Sequence, residues 1–252
     1  MPGKRPTDSR RGKAYAGDST IRGGVLNTIE ISSKGQNAGV RVRYQTLEIG
    51  RFDIHICTLR DKQQYSDPQG TAQALGISSA TWSMFGVIWD SSQVLAHYML
   101  DLELQGKRIL EVGCGVGLTS LMLNQRDMDI TATDRHPEVE QMLKRNTVLN
   151  GGQIIPFVRT GWEDGASGLG RFDIIVGSDL LYERDHLRAL AGFIDCHAKR
   201  QSEIVIVDPG RGECARFGSL LDQQGFRVHP YIRPETAYLE APFKGRILRY
   251  QR

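Results

Sequence analysis

One segment reads Glu111-Val-Gly113-Cys-Gly115-Val-Gly117, an acid placed two positions ahead of three alternate glycines. Glycines at that spacing let backbone approach a ligand where any side chain would collide. Asp134 follows 21 residues after Gly113, placed to accept both hydroxyls of a ribose. A dinucleotide fingerprint, G-x-G-x-x-G, needs glycine at position 118, where this chain has Leu118. The acid ahead of the loop does not belong to that pattern either, so a nicotinamide oxidoreductase is disfavoured. Asp179 and Asp208, like Glu111 and Asp134, fall in or just after the carboxyl ends of predicted strands. Single acids there often cap helices or turns. A rim of four disfavours a pyrophosphate and favours a cationic ligand. S-adenosylmethionine is such a ligand, with a sulfonium, an ammonium and one carboxylate.

The elements that must position these residues alternate. Asp90-Ser91-Ser92-Gln93 is an N-cap signature, and Val94, Leu95, Tyr98, Met99 and Leu102 follow at helical spacing, with Gly106-Lys107 as the expected end. Arg108-Ile-Leu-Glu-Val112 predicts a strand, residues 118–123 start a helix, and Asp129-Ile-Thr-Ala-Thr-Asp134 predicts the next strand. Pro137 marks a helix first turn, with Glu138 and Glu140 beside it. Phe172-Asp-Ile-Ile-Val176 and Glu203-Ile-Val-Ile-Val207 are later strands, and Phe226-Arg-Val-His and Gly245-Arg-Ile-Leu-Arg-Tyr250 read as two more. Such alternation implies an α/β fold: a Rossmann-like, doubly wound, mostly parallel sheet covered by helices on both faces. Ligands bind such sheets outside the carboxyl ends of the strands.

Ahead of this region, residues 24–80 read as a β extension. Val40, Val42 and Tyr44 alternate with Arg41 and Arg43, then Phe52, Ile54 and Ile56 alternate with Asp53 and His55, with Gly50 between the runs. It is either a hairpin that shapes the acceptor site or an extension of the core. Residues 1–23 hold six basic residues against two acids, although the whole 252-residue chain carries only +3. That basic stretch is expected to be a disordered tail, through which nucleic acid is a possible but disfavoured partner. The expected domains are therefore 1–23, 24–80 and 81–252.

Cys57, Cys114, Cys196 and Cys214 form no C-x-x-C pair, which predicts reduced thiols and a cytoplasmic setting. No apolar run reaches the ~20 residues of a membrane span, and no apolar stretch follows the charged N-terminus. The six histidines show no metal spacing, and no G-x-S-x-G elbow is present. No metal is expected, and the chain is read as a monomer.

The glycine segment with Asp134 resembles the class I, seven-β-strand methyltransferases, over residues 82–252. Further features resemble their protein-lysine methyltransferase branch, methyltransferase family 16. These are Gly86-Val-Ile-Trp89-Asp90-Ser91, Trp162 ahead of the fourth core strand, Asn146 with Asn150, and Asp179-Leu-Leu-Tyr182 as a D-x-x-Y motif. Gly161 departs from the acid often found there. Asp208-Pro209-Gly210-Arg211 is similar to the branch that modifies an electron-transfer flavoprotein subunit.

The resemblance implies an S-adenosylmethionine-dependent transferase acting on a protein lysine. A lysine amine of ordinary pKa ~10.4 must lose its proton before attack, at a cost of roughly 4 kcal/mol near neutral pH. Asp179 and Tyr182 are the expected catalytic pair facing that amine, with Trp89 near the methionine end of the cofactor. Glu111 would hold its ammonium, Gly113, Gly115 and Gly117 its backbone-contacted portion, and Asp134 its ribose. Asp179 also borders the cofactor. Trp162 or Glu163 would contact adenine, although a tryptophan before a strand is equally a core residue. Leucines replace the prolines of an [ND]-P-P-[YFW] loop, which disfavours nucleic-acid adenine. An RNA or small-molecule acceptor, or a non-catalytic cofactor-binding scaffold, are the alternatives.

Overall fold

The computed structural model describes residues 40–164 and 168–252. The basic stretch 1–23 and residues 24–39 of the expected β extension lie outside the described residues.

The described residues open with a hairpin, β1 (Val42–Ile49) and β2 (Phe52–Leu59), then α1 (Thr71–Ala74), a 3₁₀ turn (Trp82–Gly86) and α2 (Asp90–Leu100). There follow β3 (Arg108–Val112), α3 (Leu118–Gln125), β4 (Asp129–Asp134), α4 (Val139–Leu149) and β5 (Phe157–Arg159). The remainder is β6 (Phe172–Ser178), α5 (Leu187–His197), β7 (Ala198–Asp208), α6 (Cys214–Gln223), β8 (Arg227–Val228) and β9 (Arg246–Gln251).

Seven of these strands form one sheet in the order β5-β4-β3-β6-β7-β9-β8. All pair in parallel except β9, which runs antiparallel to β7 and β8. The expected Rossmann-like architecture is therefore present. Its strands are apolar on both faces, as a doubly covered sheet requires. Ile109, Ile174, Val176, Val205 and Val207 face one core with α2, α3 and α4. Leu110, Ile175, Ile204 and Ile206 face the other with α5 and α6. The chain order reverses between β3 and β6, and that switch point is where the glycine loop emerges.

Several local expectations need correction. Tyr44 is 61% exposed, because β1 is inward at Val42, Gln45, Leu47 and Ile49 rather than in strict alternation. Asp90 is the first residue of α2, whose N-cap is Trp89 and lacks a side-chain cap bond. That helix ends at Leu100, and Gly106, with φ 73°, turns the chain into β3 instead. Pro137 precedes the Glu138 N-cap of α4 and lies outside its first turn. The sequence reading did not find β5, whose three residues are too few to show periodicity.

Gly50 joins the hairpin strands with φ 59°, and a Cβ there would strike Leu100. Ile54, Ile56 and Leu59 are buried in the same core as α2 and α3, and Asn146 and Asn150 of α4 bond the β2 backbone. The hairpin is thus part of the folded core.

Candidate active site

Glu111, Asp134, Asp179 and Asp208 lie in or just after the carboxyl ends of β3, β4, β6 and β7, in that order, four strands adjacent in the sheet. The topology brings to one end of the sheet acids up to 97 positions apart in sequence. Their surroundings differ.

Glu111 is 2% exposed, and its Oε2 accepts the Ser120 N–H at 2.9 Å and the Ser120 hydroxyl. Ser120 lies in the first turn of α3, where backbone N–H groups are free for an anion. Burial pushes the Glu111 carboxyl up to about 7, against the pull of these donors, and the Asp134 charge adds to the rise. Asp134 accepts the Gly115 N–H at 3.0 Å on one oxygen and the His136 N–H at 2.9 Å on the other. Burial also raises its carboxyl. Among the described residues neither acid has an ion-pair partner within 4.0 Å. A cation entering from outside would relieve both, and this is the donor set that an ammonium and a ribose diol require. The residues present fit S-adenosylmethionine on that ground.

Between these acids runs the loop 113–117. Its glycines have φ of 64°, 53° and 80°, which L side chains rarely adopt. A Cβ would meet Leu180 at 2.7 Å from Gly113, the Phe85 carbonyl at 3.0 Å from Gly115, and Leu143 from Gly117. The glycines are therefore required by the left-handed backbone and by packing onto the protein beneath. Behind the loop, His136 stacks on Phe85 with centroids 4.1 Å apart, and Trp82 meets both edge-on at 5.5 and 5.3 Å. Burial lowers His136 to about 3, so it is a neutral aromatic wall.

Asp179 follows β6 in a left-handed conformation, φ 55°, uncommon for a residue with a side chain. Its N–H bonds the Val207 carbonyl at 2.9 Å, extending the ladder between β6 and β7. Both carboxylate oxygens are taken by Arg211, at 2.8 Å from Nε and 2.9 Å from Nη2. Asp208 is fully buried, and its Oδ2 accepts the N–H groups of Gly210 (2.8 Å) and Arg211 (3.0 Å) and the Cys214 thiol (3.2 Å). This turn aims Arg211 back at Asp179. Burial, with the Asp208 carboxylate beside it, pushes the Cys214 thiol up to about 12.

Tyr182 is 46% exposed and lies where the charges of Glu183, Arg135, Asp134 and Asp179 all bear on it. Trp89 is half-buried, its indole N–H donating to the Met84 carbonyl at 3.2 Å. Trp162 packs against the core under α5 and α6 and meets His186 edge-on at 6.3 Å, while Glu163 is exposed. The core role weighed for Trp162 is therefore present. Sequence reasoning missed Ser120, His136 and the pairing of Arg211 with Asp179. Only Arg211 left a signal, as the last residue of the Asp208-Pro209-Gly210-Arg211 match.

A sequence profile described as lysine methyltransferase matches residues 73–216, a span holding all four acids and Arg211. The chain belongs to the lysine methyltransferase family. The electron transfer flavoprotein beta subunit lysine methyltransferase of Rattus norvegicus is 27% identical to this family member over 179 residues, 69% of this chain and 63% of that relative. The calmodulin-lysine N-methyltransferase of Arabidopsis thaliana is 30% identical over 137 residues, 50% and 45% of the two chains. The matched part thus spans less than two thirds of either relative. Among solved structures, a ribosomal protein L11 methylase from Lactobacillus delbrueckii subsp. bulgaricus has a TM-score of 0.54 at 18% identity, covering 83% of this chain and 99% of its own. A T. thermophilus 16S rRNA N2 G1207 methyltransferase gives 0.57 at 15%, covering 84% and 51%. Both show that this lysine methyltransferase family member has a methyltransferase fold. The hairpin β1–β2 lies outside the family match. Among the described residues there is no helix long and apolar enough to cross a membrane, and no cluster of His, Cys, Asp or Glu that could hold a metal ion.

Proposed function

We propose that the chain is an S-adenosylmethionine-dependent protein-lysine N-methyltransferase, with its catalytic domain in residues 81–252 and residues 24–80 as an N-terminal extension. The observation that carries this reading is the pair Glu111 and Asp134, whose burial raises both carboxyls and neither of which has an ion-pair partner within 4.0 Å among the described residues. They flank the glycine loop of a lysine methyltransferase family member. The names of the two relatives specify protein lysines as acceptors, in electron transfer flavoprotein and in calmodulin, which supports the acceptor class.

S-adenosylmethionine, when bound, supplies a methyl group on a sulfonium, open to in-line attack by a nucleophile. Glu111 holds the ammonium and Asp134 the ribose hydroxyls, with Gly113, Gly115 and Gly117 backbone alongside. Trp89 borders the methionine end, and Trp162 or Glu163 the adenine. Asp179 and Tyr182 receive the acceptor amine. Asp179, already neutralised by the Arg211 fork, offers its remaining lone pairs to an N–H of the amine and so aligns it. Because the pair Asp179–Arg211 carries no net charge, it favours retention of an ammonium less than a bare carboxylate would. Deprotonation of the amine, the costly step before attack, is eased accordingly.

The test is incubation with methyl-labelled S-adenosylmethionine and protein extract, followed by protease or nuclease digestion, with purified electron transfer flavoprotein and calmodulin as defined acceptors. Label that is removed by protease and maps to lysine supports the reading. Label removed by nuclease, or found in a dialysable product, overturns the acceptor class.

A further inference from the structure

Asn146 of α4 and Asn150, the C-cap of that helix four positions on, face the edge of β2 that β1 leaves open. Asn150 accepts the His55 N–H at 2.8 Å and donates to the His55 carbonyl at 2.7 Å. Asn146 repeats this at Cys57, accepting its N–H at 2.7 Å and donating to its carbonyl at 3.2 Å. Two carboxamides thereby imitate a neighbouring strand. The match is geometric: four residues of helix rise about 6 Å, and two residues of strand about 6.8 Å. A helix with amides at i and i+4 can therefore satisfy alternate residues of an extended edge.

Asn146 does one thing more. It is fully buried, and its second amide hydrogen goes to the Val116 carbonyl, 2.9 Å away, inside the glycine loop. Asn150 donates its own second hydrogen to the Asn146 carbonyl at 2.7 Å. With one acceptor and two donors all used, Asn146 has no spare orientation, since a flipped amide would set NH₂ against the Cys57 N–H. A second route runs in parallel. Leu59, at the end of β2, fills the space a Gly86 side chain would need, and Phe85 next to it presses its carbonyl on Gly115.

We propose that Asn146 is a positioning residue that couples the β1–β2 hairpin to the cofactor loop, so that cofactor binding and hairpin closure stabilise each other. The inference rests on the loop being the cofactor site, as in the function proposed above. Coupling of this kind is reciprocal: whatever tightens the hairpin tightens cofactor binding by the same factor. The hairpin lies outside the part of the chain that matches the family profile, and the coupling gives it a defined task.

The experiment is hydrogen exchange at the His55 and Cys57 amides, with and without saturating S-adenosylhomocysteine, alongside calorimetric titration of the same compound. In the wild-type chain, exchange at both amides slows when the compound binds. In Asn146→Ala its dissociation constant rises about tenfold and the binding-dependent slowing disappears. Asn150→Ala, which frees His55 and keeps the Val116 bond, gives the smaller loss. A merely structural role for Asn146 would speed exchange equally in both states and leave the binding-dependent difference intact. The wild-type exchange difference requires no variant to fold. Binding without any change at His55 and Cys57, or Asn146→Ala binding as tightly as wild type, overturns the coupling alone. A wild-type chain that fails to bind S-adenosylhomocysteine overturns the cofactor reading and the coupling with it.

Discussion

At the ends of β3 and β4, Glu111 and Asp134 are held by hydroxyl and backbone N–H donors, with no cation beside them in an ion pair. At the ends of β6 and β7, Asp179 is gripped by a guanidinium, while one oxygen of Asp208 fixes the turn that delivers it and the other, Oδ1, is buried without a hydrogen-bond partner. Among the described residues, Glu111 and Asp134 in the first half lack an ion-pair partner, whereas in the second half Asp179 has its own counter-ion. A buried carboxylate without a partner costs folding free energy and rewards the arrival of a positive ligand. A neutralised one orients what it touches without holding it tightly. The first half is therefore built for affinity and the second for alignment.

Glu111→Gln is the strongest way to break this contrast. It should weaken S-adenosylmethionine binding about a hundredfold in calorimetry, as expected for loss of a charged hydrogen bond. The same variant should raise the melting temperature of the cofactor-free protein at pH 8, because it removes a buried charge. A variant that binds normally would show that the buried acid serves the fold alone.

The next effect is on stability against pH. Glu111 titrates near 7 when folded and near 4.5 when unfolded. The folded state thus holds a proton that the unfolded chain gives up between those values. Its stabilising contribution is complete below pH ~4.5 and is lost as pH rises through about 7, a change of about 3 kcal/mol. Denaturant melts of wild type should show this decline between pH 5 and 8, and Glu111→Gln should flatten it.

Arg211→Met sharpens the contrast from the other half. Turnover should fall about tenfold while the cofactor dissociation constant stays within about twofold, because the change leaves Asp179 unpaired but spares the glycine loop. An equal loss of cofactor affinity would mean that the two halves work as one. Tyr182→Phe should be mildest, a fall in turnover of about threefold with cofactor binding unchanged, since Tyr182 is 46% exposed and water can replace part of its role.

The strands that carry the four acids were legible because each holds an apolar run with an acid at or next to its carboxyl end, although β7 starts at Ala198, five residues ahead of the expected Glu203. β3 and β4 match their expected limits residue for residue. What eluded sequence reading depends on partners distant in the chain. Arg211 lies 32 residues from Asp179 and meets it only because β6 and β7 are neighbours. The N-cap of α2 was misplaced because an aspartate in the first helical turn and one at the cap look alike in sequence. The demand for glycine at 115 and 117 was foreseen, but the packing of Phe85 and Leu143 against them was not, since those residues belong to other elements. Asn146 and Asn150 were noted only as part of a family pattern, because side-chain amides that stand in for a strand leave no periodic trace.

The second of those asparagines is followed by Gly151, a pairing open to spontaneous deamidation, in which the glycine nitrogen attacks the side-chain carbonyl carbon, ammonia departs, and water opens the resulting cyclic imide to a carboxylate. Here the Gly151 N–H is committed to the Val148 carbonyl at 3.1 Å, the Asn150 carbonyl receives Gln125 at 2.8 Å, and the side-chain amide is fastened at both ends. The folded chain therefore shelters a labile bond. Chemical ageing at position 150 becomes a record of how long the molecule has spent unfolded, and each converted copy has a carboxylate in place of the amide that fastened β2.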